Sequence, residues 1–329
     1  MPANLPPAFK TAEQRLHLAA THEEKEEALR EMIALLPKHK GTEKLQADLR
    51  KRLSKLEDEA AHAKRSGHHV EVGHVAREGA GQWVLLGPPN AGKSSLLAAL
   101  THAKPEIAEY PFTTRDPLPG MATFEDVQVQ LVDTPAAVPD HAPSWLPSLV
   151  RGADGVLVVL DVAADDLEAG LRGAEELLAR ARVRPLSRPA GAEDSPLVLA
   201  RPVIVLGNKV DLDDDGTFVA LAEDAVGGLP FRAVSAQRGD GLEALRPVLF
   251  QALHRIRVHT KEPGHAPDPG KPFVLDEGST VEDLAERVHH DLSAHLRFAR
   301  LWGPHARFEG QQVDRHHPLG DGDVVELHS

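Results

Sequence analysis

Residues 87–94 read Gly-Pro-Pro-Asn-Ala-Gly-Lys-Ser, directly after the apolar run 83–86 and before a helical pattern over 94–100. A plain turn between a strand and a helix does not require that order. Glycines at 87 and 92 let successive backbone N–H groups turn inward on a phosphate, and the opening helix adds partial positive charge. In this pattern Lys93 reaches the β- and γ-phosphates and the Ser94 hydroxyl binds Mg2+. Asn90, Ala91 and Ser95 complete the expected phosphate contacts.

Asn208-Lys209-Val210-Asp211 follows the apolar run 202–206. A carboxylate at 211 accepts hydrogen bonds from guanine N1–H and its 2-amino group, a donor pair that adenine lacks. Asp211 therefore selects GTP and speaks against an ATP-using enzyme. The Asn208 amide is expected at the base edge, with the Lys209 stem along the ring. Ser235-Ala236, after the strand expected at 231–234, is expected to offer backbone N–H to guanine O6.

Asp133-Thr134-Pro135-Ala136 closes the run VQVQLV. Asp133 is expected to hold Mg2+ through a water, and the turn at Ala136 to sense the γ-phosphate. Between these motifs lies Tyr110-Pro-Phe-Thr-Thr114, whose Thr114 ligates Mg2+ only when GTP is present. Order and spacing together imply a GTP-hydrolysing site. Position 137 is alanine, so no glutamine orients the attacking water and slow intrinsic hydrolysis is expected.

Composition agrees with a globular chain built for such a site. The 329 residues are 41% hydrophobic and only 4% aromatic, so the cores must be mostly Leu, Val and Ala. With no cysteine, disulfides, thiolate zinc sites and cysteine nucleophiles are excluded, in keeping with a cytoplasmic setting. The first residues lack the apolar segment of a secretory signal, and no run is long enough to span a membrane. The histidine pairs 68/69, 289/290 and 316/317 project in different directions, which favours surface or capping roles over a metal site. The net charge of −13 falls as +1 over residues 1–80, −8 over 81–258 and −6 over 259–329. Any nucleic-acid contact must come from a local patch. Residues 38–65, with nine Lys/Arg and five acids, form one. That patch reads equally as a solvated helix face or as an RNA contact; no membrane or DNA partner is expected.

The elements that must position these residues follow from periodicity. Leu29, Met32, Ile33 and Leu36, then Leu45, Leu49, Leu53 and Leu56, predict two amphipathic helices forming an N-terminal helical hairpin within residues 1–80. Over 81–260, strands at 83–86, 127–132, 155–160, 202–206 and 231–234 alternate with helices near 94–100, 165–182 and 240–256. That alternation predicts an α/β domain with a mainly parallel sheet, Ras-like in its motif order. Residues 183–200 are expected as a surface loop and 261–270 as a Pro/Gly-rich linker. A last domain at 271–329 is expected to carry strands near 273–275, 298–302 and 324–327, and a helix opened by Ser279/Thr280.

YPFTT at 110–114, NKVD at 208–211, the SA pair and the missing glutamine resemble the Obg-like branch of translation-factor-class GTPases, and most of all the DRG family. The likeness covers nearly the whole chain. The tail, with VEDLAERVHHDL, FARLWG and LGDGDVVELH, is similar to the family's TGS domain, a ubiquitin-like β-grasp module. The resemblance implies a ribosome-associated factor in translation or ribosome assembly, with protein partners through the TGS domain or the hairpin. An adaptor that binds nucleotide without effective switching is the alternative. Three departures stand out. Ala136 replaces the usual glycine. Only about 40 residues separate strands 155–160 and 202–206, so the family's inserted subdomain is missing. Asn90 resembles the asparagine of K+-activated GTPases, although bracing the loop explains it as well.

Overall fold

The computed structural model describes residues 29, 32, 33, 35, 49, 75–101, 116–136, 138, 142–190, 196–265 and 270–329. Leu29, Met32 and Leu49, on the two expected N-terminal stripes, are helical and buried. The hairpin as a whole, and Thr114 with the segment around it, lie outside the described residues.

The nucleotide half begins with β1 (Gln82–Leu86), α1 (Lys93–Leu100), β2 (Leu118–Phe124), β3 (Val127–Asp133), α2 (Leu146–Gly152), β4 (Gly155–Asp161) and α3 (Leu167–Arg180). It continues through the short pair β5 (Val183–Pro185) and β6 (Leu199–Arg201), then β7 (Val203–Asn208), α4 (Thr217–Ala225), β8 (Phe231–Ala233) and α5 (Leu242–Gln251). The main sheet runs β2-β3-β1-β4-β7-β8, parallel except for the antiparallel β2–β3 pair. The stretch 183–200, read as a loop, instead pairs its ends: β5 and β6 form a parallel two-stranded ladder. Strand β2 and helices α2 and α4 were not anticipated, because Pro and Gly interrupt the first two and α4 shows no continuous apolar stripe.

Strand alternation splits the core into two layers. Val84, Leu86, Val132, Val156, Val158, Leu160, Val203 and Val205 face one side, with α2 and α3. Trp83, Leu85, Leu131, Leu157, Val159, Ile204 and Leu206 face the other, with α1 and α5. These strands read as continuous apolar runs because both faces are covered. Trp83, fully buried, donates its indole N–H to Leu249 O at 3.2 Å. A Cβ at residue 155 would lie 2.6 Å from the Trp83 ring, which is why Gly opens β4.

The C-terminal half comprises β9 (Arg255–Thr260), β10 (Phe273–Asp276), α6 (Val281–Val288), α7 (His290–His295), β11 (Phe298–Trp302), β12 (Gln311–Val313) and β13 (Asp323–His328). Its sheet order is β10-β9-β13-β11-β12, with β9 parallel to β13 and the other pairs antiparallel, the β-grasp arrangement. Thr280 caps α6 in a reciprocal box with Asp283, as the Ser279/Thr280 signal suggested. The boundary expected after residue 260 is corrected. Strand β9 belongs to this second sheet, so the Pro/Gly segment is the β9–β10 loop rather than a linker between domains. Alternating Arg-Ile-Arg-Val-His-Thr is a half-buried strand, and its proximity to α5 concealed it within the helical pattern read to 256. Among the described residues, no helix is long and apolar enough to cross a membrane.

Arg257 on β9 joins the two halves. Its guanidinium pairs with Asp126 at 2.9 Å, with Asp321 at 2.8 Å and with Glu125, and lies over Phe124 and Phe250 at 5.4 and 5.3 Å. His259 adds a contact to Asp126 at 3.0 Å, and Arg255 reaches Asp154 at 3.2 Å. The Arg257 side chain is only 12% exposed, while Glu125, Asp126 and Asp321 are 61%, 36% and 40% exposed, so solvent screens these bonds in part. Replacing it with alanine leaves three carboxylates without their shared cation. Arg257→Ala is expected to destabilise the chain by about 2 kcal/mol, read as a lower urea midpoint for the full-length protein. An unchanged midpoint would show that the clamp carries no stability.

Candidate nucleotide-binding site

The site forms at the C-terminal ends of β1, β3, β4 and β7, where parallel α/β sheets place their ligands. Chain direction reverses at Gly87, where a Cβ would stand 2.1 Å from Val159 O and φ is 152°. Asn90 and Gly92 both take left-handed backbone, φ 60° and 90°, so that Asn90 occupies the exposed outer edge of the loop and Gly92 caps α1. A Cβ at residue 92 would meet Asn208 Nδ2 at 2.2 Å, so this glycine answers to sterics as well as to φ. Ala91 is fully buried, and Ser95 is half-buried on the first turn of α1.

Lys93 is 7% exposed and donates to Gly87 O and Pro88 O, both at 3.0 Å. Burial pushes its ammonium down to about 8, while Asp133 nearby opposes that shift. A cation held in low dielectric against the loop's own carbonyls is well placed to exchange them for phosphate oxygens. Ser94 Oγ donates to Asp133 Oδ2 at 2.5 Å. The β1–β3 register sets Asp133 level with Leu85, close to where β1 enters the phosphate loop, and Asp133 is 1% exposed. A hydroxyl and a carboxylate oxygen side by side at the phosphate loop suit a hard, oxygen-seeking cation that takes few protein ligands, which is the chemistry of Mg2+.

Thr134 is fully buried and donates to Leu85 O at 2.6 Å, bracing the turn after β3 against β1. Ala136 is 8% exposed, accepts from Val138 N at 2.9 Å, and is not among the residues with positive φ. Alanine in place of glycine therefore costs no backbone strain in this conformation.

The base-side motif differs in detail from the expectation. Asn208, 1% exposed, spends its amide inside the protein: Nδ2 donates to Ala91 O at 2.9 Å and Oδ1 accepts from Ala236 N at 3.0 Å. It ties the phosphate loop to the loop at Ser235–Ala236. Ser235 N donates to Asp240 O at 3.0 Å, so neither the Ser235 nor the Ala236 amide is left over for guanine O6 in this arrangement. The Ser235 hydroxyl instead donates to Asp211 Oδ1 at 2.5 Å and accepts from Arg238 N at 3.0 Å, fixing the carboxylate's orientation. Lys209 takes left-handed backbone, φ 67°, and its ammonium pairs with Asp161 Oδ2 at 2.6 Å. That bond stretches the lysine stem across the base side. Asp161, which also accepts from Ala163 N at 3.0 Å, was missed. The only signal for it was a carboxylate closing the apolar run GVLVVL at a strand's C-terminal end.

Comparison with known proteins agrees with this geometry. A family model described as 50S ribosome-binding GTPase matches residues 82–188, and a TGS-domain model matches 256–329. Fold and site define a P-loop GTP-binding protein joined to a separate TGS domain. An uncharacterized GTP-binding protein of Halobacterium salinarum is 30% identical over 371 residues, covering 93% of this chain and 98% of that protein. Developmentally-regulated G-protein 2 of Arabidopsis thaliana is 25% identical, covering 90% and 88%. The chain belongs to the DRG-like GTP-binding proteins. The first alignment is longer than the 329-residue chain itself, so that relative holds residues which this chain lacks. The Schizosaccharomyces pombe YchF GTPase shares the fold, with a TM-score of 0.54, 14% identity and coverage of 78% of this chain and 99% of that one.

Asn208→Ala removes both ends of the tie between the loops and leaves Ala91 O and Ala236 N without their partner. The expected result is a fall in GDP affinity of about a hundredfold, equivalent to ~3 kcal/mol, measured by calorimetry. Affinity within a few-fold of wild type would show that the two loops hold their shape independently.

Proposed function

We propose that this chain is a Mg2+-dependent, cytoplasmic GTPase of low intrinsic rate that works at the ribosome in translation or ribosome assembly. The observation that carries the nucleotide reading is that Asp211, oriented by Ser235, stands with Lys93 and the Ser94–Asp133 pair at the C-terminal ends of β1, β3 and β7. Asp211 reads guanine. Lys93 and the amides of residues 90–95 hold the β- and γ-phosphates while water attacks the γ-phosphorus and GDP leaves. Ser94 and Asp133, with Thr114, would hold the Mg2+, which would neutralise phosphate charge when bound. Ala136 donates its backbone N–H to the γ-phosphate.

The ribosome reading is supported by the description of the family model over 82–188 and by the resemblance of the chain to translation-class GTPases. A protein partner through the TGS domain or the N-terminal region fits the same role. Asn90 supports a second element. Exposed at the loop's outer edge, with φ 60°, it could hold a K+ ion against the phosphates.

The test is steady-state turnover with and without ribosomes, in KCl and in NaCl at matched ionic strength. Stimulation by ribosomes supports the factor; equal rates in the two salts dismiss the K+ site. Tight GTP binding without turnover in any arm would favour the adaptor. Base specificity has its own check. Asp211→Asn is expected to weaken GTP binding by about 2–4 kcal/mol and to gain affinity for xanthosine triphosphate, measured by competition. Unchanged GTP affinity would remove Asp211 from the base site.

A further inference from the structure

A cavity of about 410 Å3 lies in the core layer that α3 shares with the main sheet. Leu171, Ala174 and Leu178, on one face of α3, form one wall, and Val158 of β4 with Val203 of β7 forms another. Val183 and Pro185 of β5, with Val198 just before β6, close the third side. That side is pinned from α2. The Arg151 guanidinium donates to Ala181 O and Arg182 O, both at 3.2 Å, and to Leu197 O at 2.9 Å. Packed interiors leave few gaps larger than a water molecule, whereas this cavity has the size of a small-ligand site.

We propose that this cavity binds a small aliphatic carboxylate. The chain lies between α3 and the β5–β6 ladder, and the carboxylate meets the Arg182 guanidinium at the rim. No aromatic side chain lines the cavity, so an aliphatic body fills it by dispersion contacts where a ring would find nothing to stack on. Arg182 is exposed, and among the described residues its bonds are all made by its backbone, to Ala179 O, Leu199 N and Arg151. The guanidinium is left for a ligand. One such planar fork suits one planar carboxylate, taken through two parallel N–H···O bonds. The Arg182 backbone is left-handed, φ 54°, a conformation that glycine adopts without strain at a helix end. The arginine therefore stands there against the local preference.

The other charges at the rim are already met. Glu175, the one carboxylate lining the cavity among the described residues, pairs with Arg188 at 3.0 Å. Arg184 donates to Pro185 O at 3.3 Å and to Arg188 O. Carbonyls at the end of α3 are met as well, Ala179 O by Arg182 N at 2.9 Å and Ala181 O by Arg151, which blunts the negative pole of the helix. Three arginines against one carboxylate make the rim basic within a nucleotide half of net charge −8, so the anion is drawn by the local field. Neither the phosphate loop nor NKVD lines the cavity. Its failure and the failure of the GTPase reading are therefore distinguishable.

The experiment is isothermal titration calorimetry of decanoate into the full-length chain at neutral pH, with acetate and decyltrimethylammonium as comparisons. Decanoate is expected to bind once per chain with a Kd of about 10–100 μM. Acetate lacks the apolar body and decyltrimethylammonium reverses the charge, so each is expected to bind at least about tenfold more weakly. Arg182→Gly keeps the left-handed backbone and removes the guanidinium, while Ala179→Trp, at an exposed position on the rim, fills the mouth. Each should weaken decanoate binding at least about tenfold and leave GDP affinity unchanged. Should Ala179→Trp fail to fold, Arg182→Gly still decides. Absence of saturable binding at about 1 mM decanoate, equal binding of decyltrimethylammonium, or full binding by Arg182→Gly would overturn the proposal and leave the cavity to an apolar side chain of a protein partner.

Discussion

A buried amide with both ends engaged holds the nucleotide site together. Asn208 bridges Ala91 O and Ala236 N, and almost none of it is exposed to water. A lost bond would leave a desolvated carbonyl or N–H at a cost of about 1–3 kcal/mol. The phosphate loop and the base loop thus hold each other in register. Gly92 is part of the same constraint, because a side chain there would occupy the space of the Asn208 amide. The loop's unusual backbone at Asn90 and Gly92 is stable because this bond and the buried Ala91 over-determine it.

From that fixed point the other groups acquire distinct tasks. Ser235 takes one oxygen of Asp211 and sets the plane of its carboxylate. Lys209 is drawn across the base side by Asp161, at the end of the neighbouring strand. Thr134 is a strut between β1 and the turn after β3, while Asp133 beside it faces Ser94. Adjacent residues thus serve stability and chemistry separately.

The second half of the molecule is attached through the strand that carries Asp133. The β2–β3 turn presents Glu125 and Asp126 to Arg257, and β3 then runs to the site at its other end. The β-grasp sheet lends the β9–β10 part of one face to this junction.

The place of the phosphate-loop motif between a buried strand and a helix, and of NKVD at the end of another strand, was legible from the chain because these residue types stand at short spacing after apolar runs. So were the doubly covered strands, which read as apolar runs, and the Thr280 cap, a local signal completed within four residues. What only the tertiary structure decided involves partners far apart in sequence. The Asn208 amide N–H is used inside the protein because Ala91, 117 residues away, supplies the acceptor. The Ala236 amide is engaged for the same reason, by Asn208, 28 residues away. Strand β9 could not be assigned to the second domain, since its alternation fits either half until β10 and β13 are seen to pair with it. Residue type and local spacing specify which chemistry is available; side-chain hydrogen-bonding capacity is finite, and only the packed fold decides where each donor and acceptor is used.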